Sequence, residues 1–557
     1  MLRERLRFAR ASFGADFTAG LTGAIAGAPQ SMGFALLGGV NPVYGLYASI
    51  FPTIIGGLLS SSRFVTVAPT NVLMLLVAGA LTTFGNPEPP VPLFTFTLLV
   101  AAFQLVFGLF RFSALTRFVS NAVVVGFISG AGVLIIFGQL DHIFGIEVHS
   151  GSNALGGVIE LFGRIAETDP ATLVIGVATT VMIYTFHHMR RLKNIATLVA
   201  FAVVTPMVLI FNWSTVALVR DQSPIPAGLP LPMLPDLGYA QPLLGAAFAT
   251  ALLACVQHAA LVEKLRDRKE PRANINRDFV AHSISNAVGS VFQALPSSGS
   301  LSRTAVNISS GAQSRMANVY AGATIFLMML LFSGVIEVIP LAALAGHLVV
   351  AALSLIDLRA IRMVWAVSAI ARASMVATFA GALVLPLEYS IYGGVLLSLG
   401  LYIWSSSTRI EVIQLVQDER GRFSEQPCPA KLPDRTPVVL SVHGTLYFAA
   451  FRKLETLLPD PEGSIKPVVI LRLRDTESLG STGINVILRY DAALRDQGGK
   501  LILAGVGKKL RDELTRTGAL MRIGPDAVFD AQPVIFQSTE SATDYAAELS
   551  SSDADSA

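Results

Sequence analysis

Two short stretches of this chain combine residues suited to holding an anion with a spacing that breaks a helix. They are Val67-Ala68-Pro69-Thr70-Asn71 and Leu295-Pro296-Ser297-Ser298-Gly299-Ser300-Leu301-Ser302-Arg303. Each puts a proline and small hydroxylated residues where an apolar helix should begin. A helix start offers unpaired N–H groups and about half an elementary charge of positive end-potential, which together suit an anion. Pro69 fits a first helical turn, where its missing N–H is no loss. Thr70, Ser298, Ser300 and Ser302 can donate hydroxyl hydrogens or cap from such a position. Arg303 adds a full positive charge, and a cation at mid-membrane costs about 2.5–3.5 kcal/mol on insertion scales. The neighbouring spans offer no evident carboxylate to neutralise it. Either a mobile anion is its counter-charge, or its side chain reaches an interface or bonds backbone carbonyls.

These stretches interrupt a chain composed for lipid. Of its 557 residues 52% are hydrophobic and 14% charged, and the mean hydropathy is +0.60; soluble domains carry about 25% charged residues. With about 20 apolar residues needed per crossing, the pattern predicts spans over 17–37, 43–60, 69–84, 93–110, 119–140, 171–187 and 195–213. After a Pro-rich stretch from Pro224 to Pro242, it predicts 241–263, 277–293, 300–313, 317–334, 337–356, 367–385 and 388–405. The expected fold is a polytopic α-helical membrane protein of fourteen spans. The basic N-terminus (Arg3, Arg5, Arg7, Arg10) leads into a first span expected to be retained, because no short apolar core with a cleavage site follows it.

Loop charge tests that count. Alternating fourteen spans collects Arg3, Arg5, Arg7, Arg10, Arg63, Arg111, Arg117, Arg190, Arg191 and Lys193 on one side, joined by the 264–277 cluster, Arg315, Arg359, Arg362 and Arg372. The other side holds only Arg164 and Arg220 as basic residues, against Glu88, Asp141, Glu147, Glu160, Glu167 and Asp169. The basic side is the cytoplasm, so both termini are expected there and the protein in the plasma (cell inner) membrane. Because seven is odd, the second set of seven enters the membrane from the opposite face. The two halves are then inverted repeats, each with a broken segment before its third span, where transporters of this plan hold substrate.

Past Trp404 the composition changes. The expected organisation is a cytoplasmic segment 1–16, a membrane region 17–406 (repeats 17–213 and 241–406), a polar linker 407–436, a soluble α/β domain 437–548 and a disordered tail 549–557. Apolar strands near 438–442, 468–473 and 501–506 alternate with helical patterns near 482–497 and 507–517, as in βαβ units. Cys255 and Cys428 are too few for a disulfide framework. The chain has no Walker A sequence and no Cys/His metal spacing. No enzyme activity, cofactor, metal or nucleic-acid partner is therefore expected.

The run from Pro29-Gln30-Ser31-Met32-Gly33-Phe34 to Gly45-Leu46-Tyr47-Ala48 resembles the first-span signature of the SulP family of sulfate permease, prestin- and pendrin-like proteins. Ser60-Ser61-Ser62-Arg63, Gly299-Ser300-Leu301-Ser302-Arg303-Thr304-Ala305-Val306-Asn307 with Ser310-Gly311-Ala312, and Ile339-Pro340-Leu341-Ala342-Ala343-Leu344-Ala345 resemble it further. Leu446-Tyr447-Phe448 and Ser481-Thr482-Gly483 resemble that family's C-terminal STAS domain. The resemblance implies a core domain moving against a gate domain, a homodimer, and an anion site between spans 1, 3, 8 and 10. That site would contain Gln30, Phe34, Thr70, Ser300, Ser302 and Arg303, with Phe34 either an aromatic wall or a packing residue.

Two departures from the family pattern matter. On span 8 many relatives carry an acidic residue linked to cation or proton coupling, where this chain has Gln257. An amide neither binds sodium as a carboxylate would nor shuttles a proton. Adjacent His258 can titrate, or can simply be packed. In the soluble domain Gly480-Ser481-Thr482-Gly483 lacks the acidic residue that precedes the regulatory serine in STAS relatives, so Ser481 is expected to be a helix cap. The expected activity is secondary transport of a small anion (sulfate, bicarbonate, chloride or a dicarboxylate such as fumarate) by alternating access, with protons as the candidate coupling ion. The competing readings are an anion channel and a nucleobase-type carrier. Lipid headgroups are expected against the 264–272 cluster.

Overall fold

The computed structural model describes residues 2–84, 90–112, 119–146, 148, 154–189, 192, 195–222, 225–226, 228–265, 273–408, 410–418, 422–444, 446 and 450–552. Residues 1–398 form one compact unit. Its first half comprises α1 (Leu2–Leu37), α2 (Pro42–Leu59), the strand β1 (Thr66–Ala68), α3 (Asn71–Leu81), α4 (Val91–Leu109), α5 (Asn121–Phe137), the short α6 (Leu140–Phe144) and α7 (Ala154–Gly163), α8 (Pro170–His188), α9 (Ala196–Ile210) and the short α10 (Val219–Gln222). The second half comprises α11 (Ala240–Leu265), α12 (Ile275–Val291), the strand β2 (Ser298–Ser300), α13 (Leu301–Ser309), α14 (Met316–Glu337), α15 (Leu341–Leu353), α16 (Leu358–Val367), α17 (Ala369–Val384) and α18 (Leu387–Thr408), of which residues 387–398 belong to this unit.

Each of the fourteen expected spans therefore corresponds to a helix: α1–α5, α8 and α9 in the first half, and α11–α15, α17 and α18 in the second. Among the described residues seven helical stretches are long and apolar enough, by length and composition, to cross a bilayer. The third and tenth spans come out shorter than expected. α3 has 11 residues and α13 has 9, or roughly 16 and 14 Å at 1.5 Å per residue, about half the hydrocarbon thickness. The amphipathic α16 was not expected: it follows Asp357, whose carboxylate caps its first turn, and it exposes Met363, Trp365 and Val367.

The packing repeats when the halves are exchanged. α4 packs on α12 as α14 packs on α2, and α1 lies on α14 as α11 lies on α4. α5 packs on α17 as α15 packs on α8, and α1 meets α13 as α11 meets α3. Glycines recur at the equivalent contacts. A Cβ on Gly108 (α4 on α12), Gly322 (α14 on α2), Gly126 (α5 on α17) or Gly346 (α15 on α8) would come within 2.3–2.8 Å of the facing helix. Small residues at these points let backbones approach where lipid gives helices no hydrophobic reason to associate. The fold is two inverted seven-span repeats, with α1–α4 and α11–α14 as the core body and the helices from α5 to α9 and from α15 to α18 as the gate.

The two broken segments meet. β1 and β2 pair antiparallel, Thr66 opposite Ser300 and Ala68 opposite Ser298, all buried. Unbonded peptide groups cannot be left in the membrane interior, and buried side chains complete the bonding that the short ladder begins. Asn286 of α12 takes both backbone groups of Ser297, donating to its carbonyl at 2.9 Å and accepting its N–H at 2.8 Å, while Gln104 of α4 accepts from the same amide. Thr97 donates to the Ala294 carbonyl. Before and within β1, Asn318 donates to the Val65 carbonyl, Asn307 to that of Phe64 and Thr53 to that of Val67, while Thr304 accepts from the Thr66 N–H.

Residues 399–557 form the second unit. Its strands are β3 (Glu411–Gln417), β4 (Phe423–Pro427), β5 (Pro437–His443), β6 (Val468–Arg472), β7 (Lys500–Val506) and β8 (Val528–Asp530), and its helices are α19 (Phe451–Leu457), α20 (Gly480–Asp496), α21 (Lys508–Arg516), α22 (Ala519–Ile523) and α23 (Gln537–Ser552). The sheet order is β4-β3-β5-β6-β7-β8, parallel from β5 to β8 and antiparallel at β3 and β4. The apolar runs at 438–440, 468–471 and 501–506 are its buried centre. One expectation is corrected: the 407–436 segment is not all linker, because it contains β3 and β4. Only Val412 and Leu415 of β3 turn fully inward, and β4 is a largely exposed edge, so the apolar signal there is weak. α23 also runs on to Ser552, past the start expected for the tail; 553–557 lie outside the described residues.

Replacing Asn286 by Ala would leave the Ser297 N–H and carbonyl buried without partners, at about 1–3 kcal/mol for each orphaned group. We expect a clearly lowered thermal midpoint for purified N286A in detergent. Unchanged melting would show that this amide does not hold the break.

Candidate functional site

The paired strands deliver two helix starts to one place. α3 begins just after β1 with Thr70 at its N-cap position, and α13 begins just after β2 with Ser300 at its own; neither side chain bonds its helix's free N–H groups. Around them pack α1, which touches α3 and α13, and α11, which touches α3 and β2. These four helices are the ones the sequence expectation named. Gln30 of α1 donates from Nε2 to Ser302 Oγ at 3.0 Å, and Ser302 Oγ lies 3.3 Å from Ser300 Oγ. Ser302 is exposed while Ser300 is buried, so a polar chain runs from an accessible hydroxyl to the strand pair. Phe34 lies one helical turn beyond Gln30 and is buried in the main apolar core. Thr70 Oγ1 and Gln257 Oε1 are buried and find no hydrogen-bond partner among the described residues.

Arg303 lies in the first turn of α13 and is 5% exposed, so it does not reach an interface. Its Nη2 donates to the Gly27 carbonyl of α1 at 2.5 Å, to Ser49 Oγ of α2 at 2.9 Å and to Ser31 Oγ of α1. Its Nε has no partner among the described residues. Its partners are thus one backbone carbonyl, as one of the alternatives expected, and two hydroxyls, with no carboxylate among them. Room for this comes from two glycines. A Cβ on Gly27 would sit 2.8 Å from the guanidinium carbon, and one on Gly45 would sit 1.9 Å from the Ser31 carbonyl oxygen. Gly45 lets α2 close on α1 so that the Ser31 and Ser49 hydroxyls stand 2.6 Å apart.

Sequence reasoning missed Ser31 and Ser49 as partners of Arg303. Ser31 stands inside the quoted Pro29–Phe34 motif, so its position was visible, but its pairing depends on the α1–α2 contact. It also missed Asp278. That carboxylate is fully buried, accepts the Ser61 N–H (2.5 Å) and hydroxyl (2.8 Å), and lies 3.1 Å from His258 Nε2. An acidic residue one position inside the span expected at 277–293 was the available signal.

Comparison with known proteins shows the family. Residues 13–378 match the profile of the Sulfate permease family, and residues 429–542 that of the STAS domain. The chain belongs to the sulfate permease family. The "Putative sulfate transporter YvdB" of Bacillus subtilis (strain 168) is 25% identical over 532 residues, covering 93% of this chain and 96% of that one. The fold is that of a structure described as "The overall structure of SLC26A9" (TM-score 0.84, 18% identity, 98% of this chain and 91% of that one). It also matches "The transmembrane domain of a cyanobacterium bicarbonate transporter BicA" (TM-score 0.59, 21% identity, 69% of this chain and 97% of that one). The protein is a multi-pass membrane anion transporter and not an enzyme.

In the STAS domain, a carboxylate from another helix meets the start of α20, where the acidic residue of the family pattern is absent. Gly480 occupies its position with a left-handed φ of 60°, which glycine adopts freely. Glu513 of α21 accepts the N–H groups of Leu479 (3.0 Å) and Gly480 (2.8 Å) at the start of α20. Ser481 is exposed in the first turn and makes no capping bond, which corrects its expected role as the cap. Of the Leu446-Tyr447-Phe448 motif, Tyr447 and Phe448 lie outside the described residues, as do 266–272 of the basic cluster.

Two measurements check these assignments. Gly45→Ala should force α1 and α2 apart at about 1–3 kcal/mol and lower the thermal midpoint. Gly14→Ala, whose Cβ meets nothing within 4 Å, should not. In the isolated 399–557 segment, Glu513→Gln should destabilise by about 1 kcal/mol in urea unfolding, with Ser481→Ala near neutral.

Proposed function

We propose that this protein is a secondary carrier of a small oxyanion, working by alternating access in the cell inner membrane with both termini cytoplasmic. The observation that carries the reading is the meeting of the α3 and α13 starts beside the Gln30–Ser302–Ser300 chain and Arg303. Gln30, Ser300, Ser302 and Thr70 act as neutral donors to the anion's oxygens, and Phe34 closes the apolar side. Arg303 gives the fixed positive charge, held in place by Gly27, Ser31 and Ser49. Gln257 offers an amide and no carboxylate, so sodium is not the coupling ion. The same absence of a site carboxylate disfavours a nucleobase substrate. Sulfate and bicarbonate, named in the descriptions of the similar proteins above, are the first substrates to test, followed by fumarate and chloride.

Counterflow of labelled sulfate, bicarbonate, fumarate and chloride into liposomes holding purified protein tests the reading. Saturable counterflow of at least one oxyanion, indifferent to a sodium gradient, is expected; single-channel currents in its place would establish a pore. Arg303→Ala should lower transport at least about tenfold, a loss of about 1.4 kcal/mol or more. Arg303→Lys should recover only part of it, because an ammonium cannot reproduce the planar fork. Gln30→Ala should mainly raise the half-saturating concentration.

A further inference from the structure

Behind β2 lies a second polar cluster that the anion site does not use. His258 of α11 and Asp278 of α12 are both fully buried, Nε2 to Oδ2 3.1 Å. His282, one helical turn beyond Asp278, is also buried and stacks edge-on to the His258 ring with centroids 4.4 Å apart. His258 Nδ1 and His282 Nε2 find no hydrogen-bond partner among the described residues. The cluster touches both broken segments. A Cβ on Gly299 would sit 2.7 Å from His258 Nδ1, so the ring lies directly against the backbone of β2. Asp278 Oδ1 holds the backbone N–H and hydroxyl of Ser61, five residues before β1.

We propose that His258 and Asp278, with His282 beside them, bind the proton that moves with the transported anion. The inference rests on the carrier reading above and supplies the group that Gln257 cannot be. One proton added at His258 turns a buried imidazole–carboxylate pair into an imidazolium–carboxylate pair. That places one more positive charge against Gly299, at the strand that starts α13. The imidazolium attracts the anion and the anion favours the imidazolium, so proton and anion binding are linked reciprocally. The ionisable groups facing His258 are few. α12 gives Asp278 and His282, its Arg277 being exposed, while α3, α4 and β2 carry none. On α11 itself the buried thiol of Cys255 lies one turn before His258, and Glu263 and Lys264 are exposed beyond the buried turn. Arg303 is turned away toward α1.

The test uses full-length protein in liposomes with labelled sulfate and bicarbonate and an enclosed pH-sensitive dye. Counterflow at equal pH on both sides reads transport alone. Accumulation driven by an acidic exterior, with dye acidification inside, reads the proton. Wild type is expected to accumulate anion and acidify, and His258→Gln and Asp278→Asn to lose acidification per anion moved by tenfold or more. Counterflow without accumulation or acidification in wild type overturns this inference and leaves the carrier reading standing. Unchanged proton movement in both variants overturns the assignment to this pair. Absence of counterflow for every anion overturns the carrier reading and the inference with it. Should the variants not fold, sulfate titration calorimetry of wild type in buffers of different ionisation enthalpy decides. Proton uptake on binding, with affinity rising up to about tenfold per unit fall in pH, supports the proposal, and binding with no proton exchanged overturns it.

Discussion

The structure depends on one constraint: in the membrane interior every peptide group needs a partner inside the protein. Continuous helices meet it within themselves, and the two broken segments cannot. β1 and β2 meet it by pairing with each other, aided by Asn286, Asn318, Asn307, Thr53, Thr97 and Thr304. The two repeats are consequently not separable. Each supplies the backbone partner for the other's break, and the place where they exchange bonds is also where two helix starts come together. Site and fold have a common cause.

Arginine burial follows from the same economy of space. A guanidinium in this interior is tolerable only if its hydrogens are used, and the acceptors come from α1 and α2. Those helices reach it because Gly27 and Gly45 remove the side chains that would hold them apart. A dense motif of small and hydroxylated residues in the first two spans is thereby explained by a residue some 270 positions later. The cation is fixed by the rigid core body, while α5, α8, α9, α15 and α17 pack mainly among themselves. A fixed site on one body, facing a second body joined by fewer contacts, is the arrangement that rocking motions require.

Much of this was legible in the sequence, and what was not has physical reasons. Apolar length and loop charge predict all fourteen spans because the bilayer imposes a long, repeated signal. Pro69 and Pro296 reveal the breaks because each stands with small hydroxylated residues at the start of a span, whereas Pro29, Pro52 and Pro206 lie inside continuous helices. Strand pairing at 66–68 and 298–300 was not legible, since three-residue strands carry no periodicity. The partners of Arg303 and the His258–Asp278 contact were equally hidden, because each joins residues on different helices and depends on how the helices pack. β3 escaped notice because only two of its side chains point fully inward, and Glu513 because it reaches the start of α20 from 33 residues away.

The charge around the proposed site bears on what it can carry. Two helix starts contribute about half a positive charge each, and Arg303 contributes one. The total of about two charges is offset by no side-chain carboxylate among Arg303's partners. Gln30, Ser300, Ser302 and Thr70 are neutral, so in the proposed site they would orient an anion's oxygens without adding charge. A divalent oxyanion is balanced there almost alone, whereas a monovalent one leaves a surplus. A carrier must release what it binds, and a divalent anion neutralised this fully would leave slowly unless the positive potential could be lowered. The proton proposed at His258, whose ring lies against β2, would be a means of lowering it. The electrostatics of the site thus give a carrier of divalent anions a reason to move a proton with its substrate, and give a carrier of monovalent anions much less.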